Sequence, residues 1–136
     1  MSREELVREL EAPVRVCMRK PITCTLDDSI SSLLAKMVIH DIGAIIVVKE
    51  EVPIGIITEK DILERGILKD KDVYKTQANE IMSTPLITIE HDRSIKEAIE
   101  LMKKHNIRRL AVIDNRALVG LVTERRLSIA FLNKII

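Results

Sequence analysis

Gly55-Ile-Ile-Thr58-Glu59-Lys-Asp61 decides how this chain is read, because it returns as Gly120-Leu-Val-Thr123-Glu124-Arg-Arg126. Each stretch rises through apolar residues to a threonine followed by charge, the pattern of a strand running into a capped helix. With one residue inserted near Arg93, the likeness covers residues 17 to 63 and 81 to 128 at an offset of 65. Ile30 then meets Ile95, Met37 meets Met102, His40 meets His105, Ile42 meets Ile107 and Val47 meets Val112. Two copies are too few for an open solenoid, which needs about three or more repeats to bury a core. The sequence therefore predicts one closed unit with a pseudo-twofold axis.

Outward from the repeated stretch, each copy reads β-α-β-β-α. Pro21 to Thr25 is a short extended segment, and Asp27, Asp28 or Ser29 caps a helix whose apolar face is Ile30, Leu33, Leu34, Met37 and Val38. Ala44 to Val48 and Ile54 to Ile57 are β-branched runs that suggest an antiparallel pair buried on both faces. Thr58 opens a second helix with Ile62 and Leu63 inward and Gly66 as its stop. In the second copy Leu86 to Ile89 is extended, Ser94 to Asn106 helical, Leu110 to Ile113 and Leu118 to Val122 strands, and Glu124 to Leu132 helical. Ahead of both, Ser2-Arg-Glu-Glu5 has the capping-box spacing and Leu6, Val7 and Leu10 follow at helical intervals until Pro13. The expected organisation is an N-terminal helix (1–12), a first repeat (13–66), a solvated linker around Lys69-Asp-Lys-Asp72 (67–79) and a second repeat (80–136). The fold class is α/β, with halves that shield each other's sheet faces.

Composition narrows the function. Hydrophobic residues make up 46% of the chain, yet it holds no Trp, one Tyr and one Phe, so the core is aliphatic and base stacking on aromatic platforms is disfavoured. Lys and Arg total 22 against 21 acidic residues, a balance that offers no field for gripping nucleic acid or an anionic membrane. Cys17 and Cys24 lack the paired spacing of zinc or redox motifs and read as buried thiols in a reducing compartment. The start carries no apolar signal region and no stretch approaches the ~18 apolar residues of a membrane span, which predicts a cytoplasmic protein.

The Met18-Arg-Lys-Pro21 and Met82-Ser-Thr-Pro85 openings, the helix ends Met37-Val-Ile-His-Asp-Ile42 and Met102-Lys-Lys-His-Asn-Ile107, and the Gly-x-x-Thr-x-x-Asp signature occur in that order, the first two in both copies and the signature in full only in the first. Each repeat thereby resembles a cystathionine β-synthase (CBS) domain, and the tandem resembles the paired unit called a Bateman module. The resemblance implies a regulatory sensor of an adenosyl ligand such as AMP, ADP, ATP or S-adenosylmethionine. It also implies a disc-shaped homodimer and control of an enzyme, channel or transporter, here in trans.

Thr58 and Asp61 are the leading site candidates. The hydroxyl and first free N-H groups at a helix start suit a phosphate, and a carboxylate one turn on can accept from two vicinal ribose hydroxyls. Gly43 and Ala44 are small enough to leave room for a base, Gly55 permits close approach, and Ile56 belongs to the same signature. The spacing also satisfies a capping box, and read alone it favours the cap; the resemblance favours binding. It further implies that each cleft borrows its floor from the other repeat, with Leu86, Ile87 and Thr88 facing the first ligand and Ile22, Thr23 and Cys24 facing the second, although packing in the core is the alternative for each.

The second copy has Arg126 where the first has Asp61. A guanidinium donates only, so it cannot accept from ribose, though it can grip a phosphate. With Thr123, Arg108 and Arg109 it marks a second cleft that is either empty or tuned to a more phosphorylated or displaced ligand; solvated surface is the alternative for the two arginines. His40 and His105 read as helix-end charges, and Glu59 and Glu124 as first-turn acids with no nucleophile at a recognisable spacing. No catalytic residue and no metal site is expected. The competing expectation is a structural or interaction module whose clefts are vestigial.

Overall fold

The computed structural model describes residues 1–135; residue 136, the last of the second repeat, lies outside the described residues. The chain forms two compact units, the first Pro21–Leu86 and the second Met1–Lys20 together with the chain from Ile87 onwards. Both are mixed α/β.

In the first unit the order is β1 (Thr23–Cys24), α2 (Ile30–His40), β2 (Ala44–Lys49), β3 (Val52–Thr58), α3 (Glu59–Asp61) and α4 (Ala78–Ile81), and α1 (Arg3–Glu11) belongs to the other unit. The sheet runs β1-β2-β3, with β1 parallel and β3 antiparallel to the central β2. A parallel neighbour needs a crossover, and α2 supplies it. Ser29 caps α2 by accepting from the Ser32 amide, and Asp41 ends it in the left-handed region. Because side chains alternate along a strand, Ile45 and Val47 enter the core with Ile30, Leu33, Met37, Ile57 and Ile62, while Ala44 and Ile46 are buried on the opposite face.

Two inward assignments fail here. Val38 is 82% exposed and Leu63 54% exposed. The α2 stripe is narrower than its apolar residues, because Ile30, Leu33 and Met37 are buried against the sheet with Leu34 at their margin, and Val38 falls outside it. Leu63 turns outward because the helix after Thr58 loosens at once into a π turn at Ile62–Gly66 and a 3-10 turn at Ile67–Lys69. Gly66 is thus not the stop. It is buried with a negative φ, the left-handed cap is Asp70, and a Cβ on Gly66 would stand 3.0 Å from Ile30 Cδ1. Lys69-Asp-Lys-Asp72 is exposed as expected, but the amides of Ile30 and Ser31 donate to the carbonyls of Thr76 and Val73, so the end of that stretch is packed.

The second unit repeats the plan with β4 (Thr88–Glu90), α5 (Ile95–His105), β5 (Arg109–Asp114), β6 (Ala117–Thr123) and α6 (Glu124–Ile135), sheet order β4-β5-β6. To these it adds α1 (Arg3–Glu11), capped by Ser2, and a 3-10 turn at Val14–Val16. Val14 is fully buried in a core with Ile89, Ile95, Met102, Leu110, Val112 and Leu127. The Ile95 amide donates to the Ala12 carbonyl and the Val14 amide to Arg93, as Ile30 and Ala78 do with Thr76 and Asp28 in the first unit. The repeat therefore reaches upstream of each opening.

Strand pairing also relocates the insertion. Thr23 faces Ile46 as Thr88 faces Ala111, which makes Thr23 the counterpart of Thr88. Arg19 pairs with Leu121 as Ser83 pairs with Ile56, which keeps Arg19 level with Ser83. The extra residue lies between Ser83 and Thr88, not near Arg93. Ile22, Thr23 and Cys24 correspond to Ile87, Thr88 and Ile89.

Candidate functional site

In the first unit the antiparallel register sets Ala44 against Thr58 and Ile46 against Ile56, and the Glu59 amide donates to the Gly43 carbonyl. Gly43, Ala44, Thr58 and Asp61 are thereby brought to one end of the sheet. Thr58 has extended backbone and its hydroxyl accepts from the Asp61 amide at 3.3 Å. Asp61 Oδ2 answers by accepting from the Thr58 amide at 2.9 Å and the Thr58 hydroxyl at 3.1 Å. That is a complete capping box.

The other carboxylate oxygen is engaged too. Oδ1 accepts from the Ser83 hydroxyl at 3.0 Å, with Arg65 Nε 3.9 Å away. Asp61 is 8% exposed, and its charge is held by donors from two residues of its own unit, Thr58 and Ser83, with the Arg65 guanidinium nearby. Ser83 is brought there by backbone pairing with Ile56, its amide donating at 2.8 Å and its carbonyl accepting at 3.2 Å. Gly55 makes this approach possible, since a Cβ there would meet Met82 Sδ at 3.0 Å and the Ser83 carbonyl at 3.1 Å. Ser83 was missed in the sequence. Its only signal is its place after Met82 in the repeat opening, far along the chain from Asp61.

The second unit's counterpart is built otherwise. Thr123 caps α6 by accepting from the Arg126 amide at 3.1 Å, with no side chain answering back. The Arg126 guanidinium is exposed and donates to the Cys17 carbonyl at 3.0 Å. Arg109 pairs with Thr123 across the strands, and the Glu124 amide donates to the Arg108 carbonyl, repeating the Glu59 bond to Gly43. Arg108 itself is exposed, 4.0 Å from Glu124. These four residues meet at one sheet end.

The remaining candidates fall on both units. Ile22, whose carbonyl accepts from Ile46, Thr23, Cys24 and Leu86 are in the first; Ile87, whose carbonyl accepts from Ala111, and Thr88 are in the second. Thr88 lines an open groove along α5 with Glu90, Arg93, Glu97, Leu101 and Lys104. In the first unit Lys36 stands at the level of Leu101 and donates to the Thr23 carbonyl at 2.9 Å. Cys24 is buried, which together with nearby Asp28 pushes its thiol up to about 11, against the pull of Lys36. Cys17 is half-buried and also raised, mainly by burial. No cluster of three or more metal-ligating side chains, and no helix long and apolar enough to cross a membrane, occurs among the described residues.

Comparison with known proteins places this architecture. The chain is 39% identical to an uncharacterised protein of Methanopyrus kandleri over 79% of its own length and 56% of that protein's. It is 36% identical to a CBS domain-containing protein of Bacillus subtilis, over 74% of this chain and 71% of the relative. In the first curated relatives it matches, the chain spans about half to two thirds of their length, 56%, 64% and 51%. Among solved structures, the CBS domain pair of protein MJ0100 in complex with 5′-methylthioadenosine and S-adenosyl-L-methionine superposes with a TM-score of 0.80 at 30% identity, covering 90% of this chain and 97% of that one. A conserved protein of Pyrococcus horikoshii gives 0.82 at 25% identity, covering 90% and 93%. The CBS domain model matches twice, over residues 7–68 and 78–133, and the chain belongs to the CBS-domain family as a tandem pair.

Proposed function

We propose that this chain is a regulatory module that binds an adenosine-containing ligand, AMP, ADP, ATP or S-adenosylmethionine, at the Thr58 to Asp61 junction and performs no catalysis. The observation that carries the reading is the MJ0100 pair, 30% identical over nine tenths of this chain, holding two adenosyl molecules. The junction supplies the matching chemistry. A vicinal diol only needs an acceptor, and Asp61 is a carboxylate at the end of the sheet where two small residues, Gly43 and Ala44, also lie. The output is conformational. Ligand shifts the protein towards whichever arrangement it binds better, and a homodimer or a regulated enzyme or transporter reads that shift.

A thermal scan with each of the four ligands tests this. Ligand at 100 times its dissociation constant adds about 2.7 kcal/mol of stability. No shift with any of them favours the second reading, an interaction module with a vestigial site. One observation supports that alternative: every donor now on Asp61 comes from its own unit.

A further inference from the structure

We propose that Ser83 is a latch on Asp61: its hydroxyl holds the carboxylate oxygen that a ribose-type diol needs, so ligand binding and release of Ser83 are one event. The inference rests on the ligand reading above and names how that site is regulated. Oδ2 is committed to the cap through the Thr58 amide and hydroxyl. Oδ1 is the one oxygen outside the cap, and the Ser83 hydroxyl sits on it at 3.0 Å. Arg65 Nε, at 3.9 Å, is beyond hydrogen-bonding distance. With Asp61 only 8% exposed, a diol that brings two donors meets an acceptor already partly covered.

The rest of Ser83 is built to let that hydroxyl turn. Two backbone bonds to Ile56 fix its main chain, so rotation about the Cα-Cβ bond frees Oδ1 without moving the chain. The latch sits on the stretch that runs on from the first unit through Leu86 to Ile87. At the same backbone position of the second unit Arg19 pairs with Leu121, and Arg126 replaces Asp61, so neither hydroxyl nor carboxylate is present there.

The test is calorimetry with AMP on the full chain and on Ser83→Ala and Ser83→Thr. Ser83→Ala removes a bond that the free protein has and the complex lacks. It is expected to bind AMP about tenfold more tightly while melting at a lower temperature without ligand, since hydrogen bonds to charged groups are among the stronger ones. Ser83→Thr retains the hydroxyl and is expected to bind as the native chain does. The gain is expected to shrink with 2′-deoxy-AMP, which brings one donor fewer. Binding of AMP by the native chain with equal or weaker binding by Ser83→Ala overturns the latch and leaves the ligand reading intact. Binding by Ser83→Ala alone supports both. If neither variant nor the native chain binds AMP, ADP, ATP or S-adenosylmethionine, the ligand reading falls and the latch with it.

Discussion

At the end of β3 a carboxylate turns back onto its own cap; at the end of β6 a guanidinium reaches away to another segment. The two junctions share a strand, a threonine cap and a backbone bond from the first helical residue to the neighbouring strand. What differs is where the next segment is tied. In the first unit Arg65 donates to the carbonyls of Ile81 and Met82. Cys17 stands in the second unit where Ile81 stands in the first, and Arg126 serves its carbonyl. An arginine donates to this carbonyl in both units, but it comes from different helical positions. Where Arg65 supplies it, the third residue after the threonine is free to be an aspartate. Where Ala130 replaces Arg65, that position is given to Arg126. The pair of CBS repeats therefore carries an aspartate at one strand-to-helix junction and an arginine at the other.

The largest test of this contrast is truncation of each side chain. Asp61→Ala leaves the Thr58 amide and the Ser83 hydroxyl without their partner in a buried place, and is expected to cost about 2 kcal/mol in urea unfolding. Arg126→Ala removes one exposed bond and is expected to cost about 0.5 kcal/mol or less. AMP binding is expected to be lost in the first variant and retained in the second. Equal losses of stability contradict the division of labour between the two junctions.

The glycines that open the repeated stretch give the next contrast. A Cβ on Gly55 would meet Met82 Sδ at 3.0 Å and the Ser83 carbonyl at 3.1 Å. On Gly120 it would collide with Met18 Sδ and stand 2.8 Å from Met18 Cγ and 2.9 Å from Met18 Cβ. Sulfur at the end of a methionine moves easily, but Met18 Cβ is fixed to backbone that Arg19 pins to Leu121 with two bonds of 2.9 Å. Gly120→Ala is expected to cost about 1 to 3 kcal/mol and Gly55→Ala less, by the same urea measurement. A larger loss at Gly55 means that the Met82 to Thr84 segment, and Ser83 with it, is the more rigid of the two.

The difference between the repeats was visible in the residues, while its consequences were not. The strands, their antiparallel pairing and α2 and α5 follow from β-branched runs and helical periodicity, which are local signals. The exchange of Asp61 for Arg126 was legible once the copies were aligned. Two things lay beyond local pattern. Ser83 reaches Asp61 only because it pairs with Ile56 of β3, a long-range contact that composition does not encode. Val38 and Leu63 are apolar but turned outward, since polarity alone does not say which part of a stripe meets the sheet. The extra residue belongs before Ile87, where the identities Ile22 with Ile87, Thr23 with Thr88 and Asp27 with Asp92 already favour it, and strand register agrees.

The smallest effect is expected at the hairpins, where the units differ by turn chemistry. Both loops have two residues, Glu50-Glu51 between Lys49 and Val52 and Asn115-Arg116 between Asp114 and Ala117. All four loop residues have positive φ, 51° and 68° in the first loop and 48° and 76° in the second, as a type I′ turn requires. Asparagine tolerates that region and glutamate does not, so the second loop carries one unfavourable residue and the first carries two adjacent like charges in the same strained region. Replacing Glu50-Glu51 with Asn-Gly is expected to raise stability by about 1 kcal/mol, and Arg116→Gly by roughly half as much. The two gains, read from urea midpoints, are expected to add, because the loops lie in separate units and share no partner. A gain at Arg116 that matches the first loop's would mean that strain at the second turn position dominates and the asparagine at the first contributes nothing.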